Sequence, residues 1–90
     1  MREVIPTSAF KRDYKKELRS HPQWIPLVQS IVQQLANDQP LEWSHRDHAL
    51  TRSWRGCREC HLKPDWLLIY RLEPGQLILI RLGSHAELFK

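Results

Sequence analysis

The sequence predicts an α+β fold: a helical hairpin packed on a small antiparallel β-sheet, in the order β-α-α-β-β-β. Three observations carry this. Apolar residues recur at helical spacing in two successive segments of the first half. Three apolar-rich runs fill the second half, separated by the turn sequences Lys63-Pro64-Asp65 and Glu73-Pro74-Gly75. The chain has 90 residues, enough for a single domain, 1–90, with one modest core.

The elements follow in order. Val4-Ile5-Pro6 is a short extended start, which proline confines to a sheet edge or a strand end. Thr7 or Ser8 is placed to cap a helix whose apolar stripe is Phe10, Tyr14 and Leu18, with lysines and arginines over the rest. Ser20-His21-Pro22 breaks it. Trp24, Leu27, Val28, Ile31 and Leu35 give a second stripe, with Pro26 tolerable in the first turn. Asn37-Asp38-Gln39-Pro40 ends this helix. Residues 38 to about 52 read as a polar loop holding Trp43, His45, Asp47 and His48, and long loops in compact domains are often functional. Strands are expected over 54–62, 66–72 and 76–82, the middle one apolar enough to be covered on both faces. One helical turn closes the chain over 85–89.

Composition narrows the function. The chain is 41% hydrophobic and 27% charged, which disfavours wholesale disorder. The longest apolar run, Leu77 to Ile80, is far too short to span a bilayer, and the first residues lack the apolar stretch of a signal peptide. A cytoplasmic protein without a membrane partner is the expectation. Formal charge is +4, and Arg46, Arg52, Arg55, Arg58, Arg71 and Arg81 lie in the second half. That bias points to a polyanion, either nucleic acid or an acidic protein segment.

The same half holds His48, His61, Asp65, Arg81 and His85. Imidazole takes and gives protons near neutral pH. Guanidinium is permanently charged and fits phosphate oxygens. Together they suit proton transfer around a phosphodiester. His61 and Asp65 flank a hairpin turn, so a carboxylate–imidazole pair is expected there. Arg81 interrupts a core-like run, which is costly unless it is paired or faces a site. Phe89 is either a plug on the sheet or a platform on which a base stacks. His21 and His45 read as ordinary surface residues.

Cys57 and Cys60, three apart on a strand, are expected to be reduced thiols. Cys57-Arg58-Glu59-Cys60-His61 has the C-x-x-C-H form of haem attachment, but that chemistry requires export, and haem is rejected. His48, His61, Asp65 and His85, with Cys60 as a substitute, are the ligands a zinc site would use. No close ligand spacing supports one, so neither metal nor cofactor is expected.

At these residues the chain resembles the YafQ branch of the RelE-like toxins, within the RelE/ParE superfamily of type II toxin–antitoxin systems. The matching text is Asp47-His48-x-Leu50, Ser53-Trp54-Arg55-Gly56-Cys57-Arg58-Glu59-Cys60-His61, Pro64-Asp65-Trp66-Leu67-Leu68-Ile69-Tyr70, and Arg81 through Phe89. The resemblance implies a microbial-ribonuclease-like fold and an endoribonuclease (mRNA interferase) that cuts messenger RNA in the ribosomal decoding site. It also implies a cognate antitoxin that blocks activity, with operator DNA reached only through the antitoxin complex. By motif, His48, His61, Asp65 and His85 match the family's catalytic positions, Arg81 its phosphate-binding position and Phe89 its terminal aromatic. Arg52, Arg55 and Arg58 are expected to contact RNA. Arg52 stands where relatives often have glycine, and Cys57 where an aromatic is common. The expected chemistry is metal-independent attack by the RNA 2′-hydroxyl, with His85 as general acid, Asp65 or His61 as base, and His48 assisting. Two alternatives stay open: a catalytically inactive module for antitoxin pairing and operon autorepression, and a metal-dependent hydrolase.

Overall fold

The structure is a computed structural model that describes residues 1–89. Five strands form one sheet in the order β1-β5-β4-β3-β2. Strand β1 (Glu3–Pro6) pairs in parallel with β5 (Gln76–Gly83), while β2 (His48–Ala49), β3 (Arg58–Lys63), β4 (Trp66–Glu73) and β5 pair antiparallel in succession. The sheet is therefore mixed rather than wholly antiparallel. The first strand lies at an edge and ends on Pro6, as the missing N–H requires.

Helix α1 (Ser8–Ser20) starts where Thr7 Oγ accepts from the Phe10 amide at 3.2 Å and donates to the Leu79 carbonyl at 2.9 Å. Phe10 is buried and Tyr14 half-buried, but Leu18 is 48% exposed, and Glu17 is buried in its stead. The 3.6-residue period explains this correction. Seven residues bring the helix almost back to the azimuth of Phe10, and eight overshoot it. His21 then meets the Glu17 carboxylate at 2.9 Å and stacks flat on Trp24 at 3.9 Å, so it is not an ordinary surface residue.

Trp24 sits in a helical turn, Pro22–Trp24, before helix α2 (Ile25–Ala36), which buries Ile25, Val28, Ile31, Leu35 and Ala36. The strand expected from Trp54 begins only at Arg58. Arg52 (φ +57°) and Gly56 (φ +89°) turn the backbone before it, and Arg52–Trp54 forms a helical turn instead. Helix α3 (His85–Leu88) is set by a capping box between Ser84 and Glu87.

Alternation along the strands divides the core. Cys60, Leu62, Leu68, Tyr70, Leu77, Leu79 and Leu82 pack with Phe10, Val28 and Ile31 on the helix side. Leu67 and Ile69 face the other side, under Leu88 and beside Trp54, Cys57 and Phe89. Strand β4 is thus covered on both faces, as its composition requires. Among the described residues, no helix is long and apolar enough to cross a membrane.

Candidate active site

The sheet register builds the site. His48 lies opposite Glu59, Glu59 opposite Ile69, and Ile69 opposite Arg81, giving one cross-strand row over β2-β3-β4-β5. His61 lies two residues from Glu59 and so shares its face. Next to it, Leu67 pairs with Gly83, and the chain turns at Ser84 into α3, which brings His85 over the same face. A Cβ on Gly83 would lie 3.0 Å from Glu87 Oε1, so the small residue lets α3 settle closely on the strand.

The rings follow one another: His48 to His61 at 6.4 Å between centroids, His61 to His85 at 5.6 Å, His85 to Phe89 at 5.9 Å and Phe89 to Trp54 at 5.6 Å. Ligand-capable atoms of Glu59, His61 and His85 lie within 4.8 Å of one another. Three of the expected residues thus form one row, and Asp65 joins it through His85.

The expected His61–Asp65 pair is not formed. Asp65 instead accepts from His85 Nδ1 at 2.8 Å and from the His85 amide at 3.1 Å. These hydrogen bonds, the ring's first, hold the Asp65 carboxyl below the usual carboxylate range. They also fix the tautomer, leaving His85 Nε2 to act on a substrate.

His61 faces Glu59, a carboxylate only 5% exposed that sequence reasoning missed. Glu59 Oε2 is 3.1 Å from His48 Nε2 and 3.6 Å from His61 Nε2. The first is a close ion-pair contact and the second is longer. His48 Nδ1 also meets the Arg46 carbonyl at 2.6 Å. His61 keeps an imidazole nitrogen not committed to a short hydrogen bond. His45, read from sequence as a bystander, bonds the His61 carbonyl at 2.6 Å and ties the loop to β3.

The arginines divide. Arg81 pairs with Asp13 of α1 through Nε at 2.7 Å and Nη2 at 3.3 Å, an ion pair that also keeps it firmly charged. It lies two strands, about 10 Å, from Glu59 along the row. Asp13 further accepts from the Leu82 amide at 3.0 Å, so the guanidinium is anchored rather than free to sweep. Arg52 lines an open cleft with Trp54 and Phe89, and Arg55 is exposed in the same turn. Arg58 shares the helix-side face with Cys60, where it meets Tyr70 Oη and Asp47, each at 3.3 Å. Strand alternation takes it away from the imidazoles. Phe89 is half-buried against Trp54, so it is a plug that also borders the site.

For a metal, Glu59, His61 and His85 are the fitting donors. The set expected from sequence does not assemble. Cys60 is fully buried on the opposite face, where desolvation pushes its thiol pKa well up, and the Asp65 carboxylate is engaged by His85.

Comparison with known proteins places these residues among relatives. The family model for the bacterial toxin of type II toxin–antitoxin systems, YafQ, matches residues 2–90. An mRNA interferase toxin YafQ from Escherichia coli BL21-DE3 is 35% identical over 88 residues, covering 98% of this chain and 96% of its own. A crystal structure of the E. coli DinJ–YafQ complex superposes with a TM-score of 0.90 at 34% identity, covering all of both chains. A metal-bound toxin from Helicobacter pylori superposes with a TM-score of 0.92 at 38% identity, over 99% of this chain and all of the other.

Proposed function

The chain belongs to the YafQ family of bacterial type II toxin–antitoxin toxins, and from that premise we propose that it is an mRNA interferase: an endoribonuclease that cuts messenger RNA on the ribosome by metal-independent acid–base catalysis. The observation that carries this reading is the convergence of Glu59, His61 and His85 within 4.8 Å, with Asp65 bonded behind His85. That space suits one ribose-phosphate link.

The ribose supplies the nucleophile. His61 takes the 2′-hydroxyl proton as the oxygen attacks the adjacent phosphorus. Asp65 is bound to His85, which leaves His61 as the better base of the two considered. Glu59 lies within 3.6 Å of His61 and 3.1 Å of His48 and positions the two rings beside the phosphate. His85, entering the step as an imidazolium with Nδ1–H held by Asp65, gives its Nε2 proton to the departing 5′-oxygen, and a 2′,3′-cyclic phosphate remains. Arg81 supplies fixed positive charge on the same row, for the phosphoryl oxygens of the transition state. Phe89, Arg52 and Arg55 border the path of the strand. Arg58 acts from behind the sheet, holding Asp47 and Tyr70.

A cognate antitoxin is the expected protein partner, by analogy with the DinJ–YafQ complex. The cytoplasm, where ribosomes are, is the expected place of action. Replacing His85 by Gln tests the assignment. Cleavage of ribosome-bound mRNA should fall by about 10²–10⁴, and a variant that cuts at the wild-type rate overturns it.

A second reading, a metal-dependent hydrolase, draws on the same three donors and on the metal-bound relative. A divalent ion held by Glu59, His61 and His85 would supply Lewis acidity. It would also occupy the two ring nitrogens that the acid–base reading needs. A transition-metal-selective chelator that spares ribosomal magnesium separates the two: activity persists under the first reading and vanishes under the second.

A further inference from the structure

Trp43 is 91% exposed, more than any other large apolar side chain among the described residues. A lone exposed aromatic on an ordinary loop asks for no explanation. This loop is wired to the site. The helical turn Trp43–His45 is closed by bonds from the His45 amide to the Glu42 carbonyl and from the Arg46 amide to the Trp43 carbonyl, each 3.0 Å. His45 Nδ1 bonds the His61 carbonyl, and the Arg46 carbonyl holds His48 Nδ1. Arg46 adopts a left-handed conformation (φ +46°) to make that turn. The backbone beneath Trp43 is therefore fixed by the same groups that set His48 and His61.

Trp43, Arg46 and His48 border one open cleft of 490 Å³. Asp47 also lines it, but its carboxylate is taken up by Tyr70 Oη at 2.5 Å and by Arg58. Glu42 is an exposed acceptor at the same rim, suited to a base edge rather than to phosphate. The row of rings has Phe89 and Trp54 beyond His85. Trp43 borders a cleft with His48, the opposite end of that row.

We propose that Trp43 is a stacking platform for one nucleobase of RNA bound beside the cleaved link, on the His48 side, with Arg46 meeting the adjoining phosphate. This rests on the ribonuclease reading above. An RNA strand across His48, His61 and His85 then meets an aromatic group at each end. Arginine beside an exposed indole favours RNA over an apolar protein segment, because every base has a π-face and every link a negative charge.

The base belongs either to the messenger or to ribosomal RNA, and two assays separate them. Trp43→Ala and Trp43→Phe are compared with wild type in mRNA cleavage on programmed ribosomes, and in fluorescence-anisotropy binding of a non-cleavable 2′-O-methyl RNA octamer across a salt series. Loss of one stack weakens binding about 5- to 150-fold. The alanine variant should raise KM by about tenfold with kcat within about twofold; phenylalanine should restore most of it. The salt slope should not change, because no phosphate contact is removed. Parallel weakening of octamer binding places the base on the messenger, whereas an effect confined to ribosomes places it on ribosomal RNA. Wild-type KM and octamer affinity in Trp43→Ala, or an effect on antitoxin affinity alone, overturns the proposal. His85→Gln run alongside keeps the two readings apart: if it cleaves normally the ribonuclease assignment fails, and if it is inactive while Trp43→Ala is normal only the platform fails.

Discussion

Replacing Glu59 by Gln removes one negative charge from beneath the imidazole row while keeping nearly the same shape. The carboxylate is 5% exposed and its Oε2 lies 3.1 Å from His48 Nε2. The His48 side chain is 51% exposed, so solvent screening limits this contact to about 1 kcal/mol or less. The catalytic effect should be larger. Glu59 orders His48 and flanks His61 without touching the phosphate, which places it near the low end of the range of about 10²–10⁴ for acid–base groups. A 10²-fold loss is about 2.7 kcal/mol at the transition state. The variant should therefore unfold only slightly earlier in urea, yet cleave ribosome-bound mRNA about a hundredfold more slowly. Glu59→Asp, which keeps the charge, should recover part of the rate. Cleavage by Glu59→Gln within threefold of wild type refutes the role, as does a rate loss explained by the unfolded fraction.

Two further outcomes follow from local geometry. Arg52→Gly relieves a left-handed conformation that costs an L-residue about 1–2 kcal/mol, against about 0.5–1 kcal/mol of added chain entropy. The variant should be more stable by about 0.5–1 kcal/mol in urea titration, and a loss of stability contradicts the strain argument. Glu87 has its pKa lowered to about 2 by the hydrogen bond from Lys16 and then by the Ser84 amide. A depressed carboxyl pKa stabilises the fold above the group's ordinary value, near 4.5, and that stability is lost as pH falls through about 2. The gap between wild type and Glu87→Gln should be constant above about pH 5, close toward pH 2, and stay below about 1 kcal/mol because the pair is exposed. A gap that widens on acidification reverses the sign.

Much of this was legible in the chain. Two helical stripes, two turn sequences and an apolar central strand locate five of the main elements, and the closing motif locates His85 and Phe89. The parallel pairing of β1 was not, because a four-residue edge strand carries no signal of direction. Leu18 was misplaced by counting in fours where the helix turns in 3.6. Strand alternation separates Glu59 and His61 from Arg58 and Cys60 in a strand over 54–62 as much as in one from Arg58, but it does not say which face the imidazoles of other elements join. The exchange of partners, Asp65 to His85 and Arg81 to Asp13, depends on where α3 and α1 dock, which no local pattern encodes.

The central claim is that the RNA 2′-hydroxyl is the nucleophile and that side chains on one face of the sheet move its proton. A messenger with a single 2′-deoxy nucleotide at the cleavage position, presented on ribosomes, tests it most directly. The account predicts that this strand stays intact at that position while its all-ribose twin yields a 2′,3′-cyclic phosphate end. Cleavage of the deoxy strand at a comparable rate, or a 3′-hydroxyl product from the ribose strand, would contradict it.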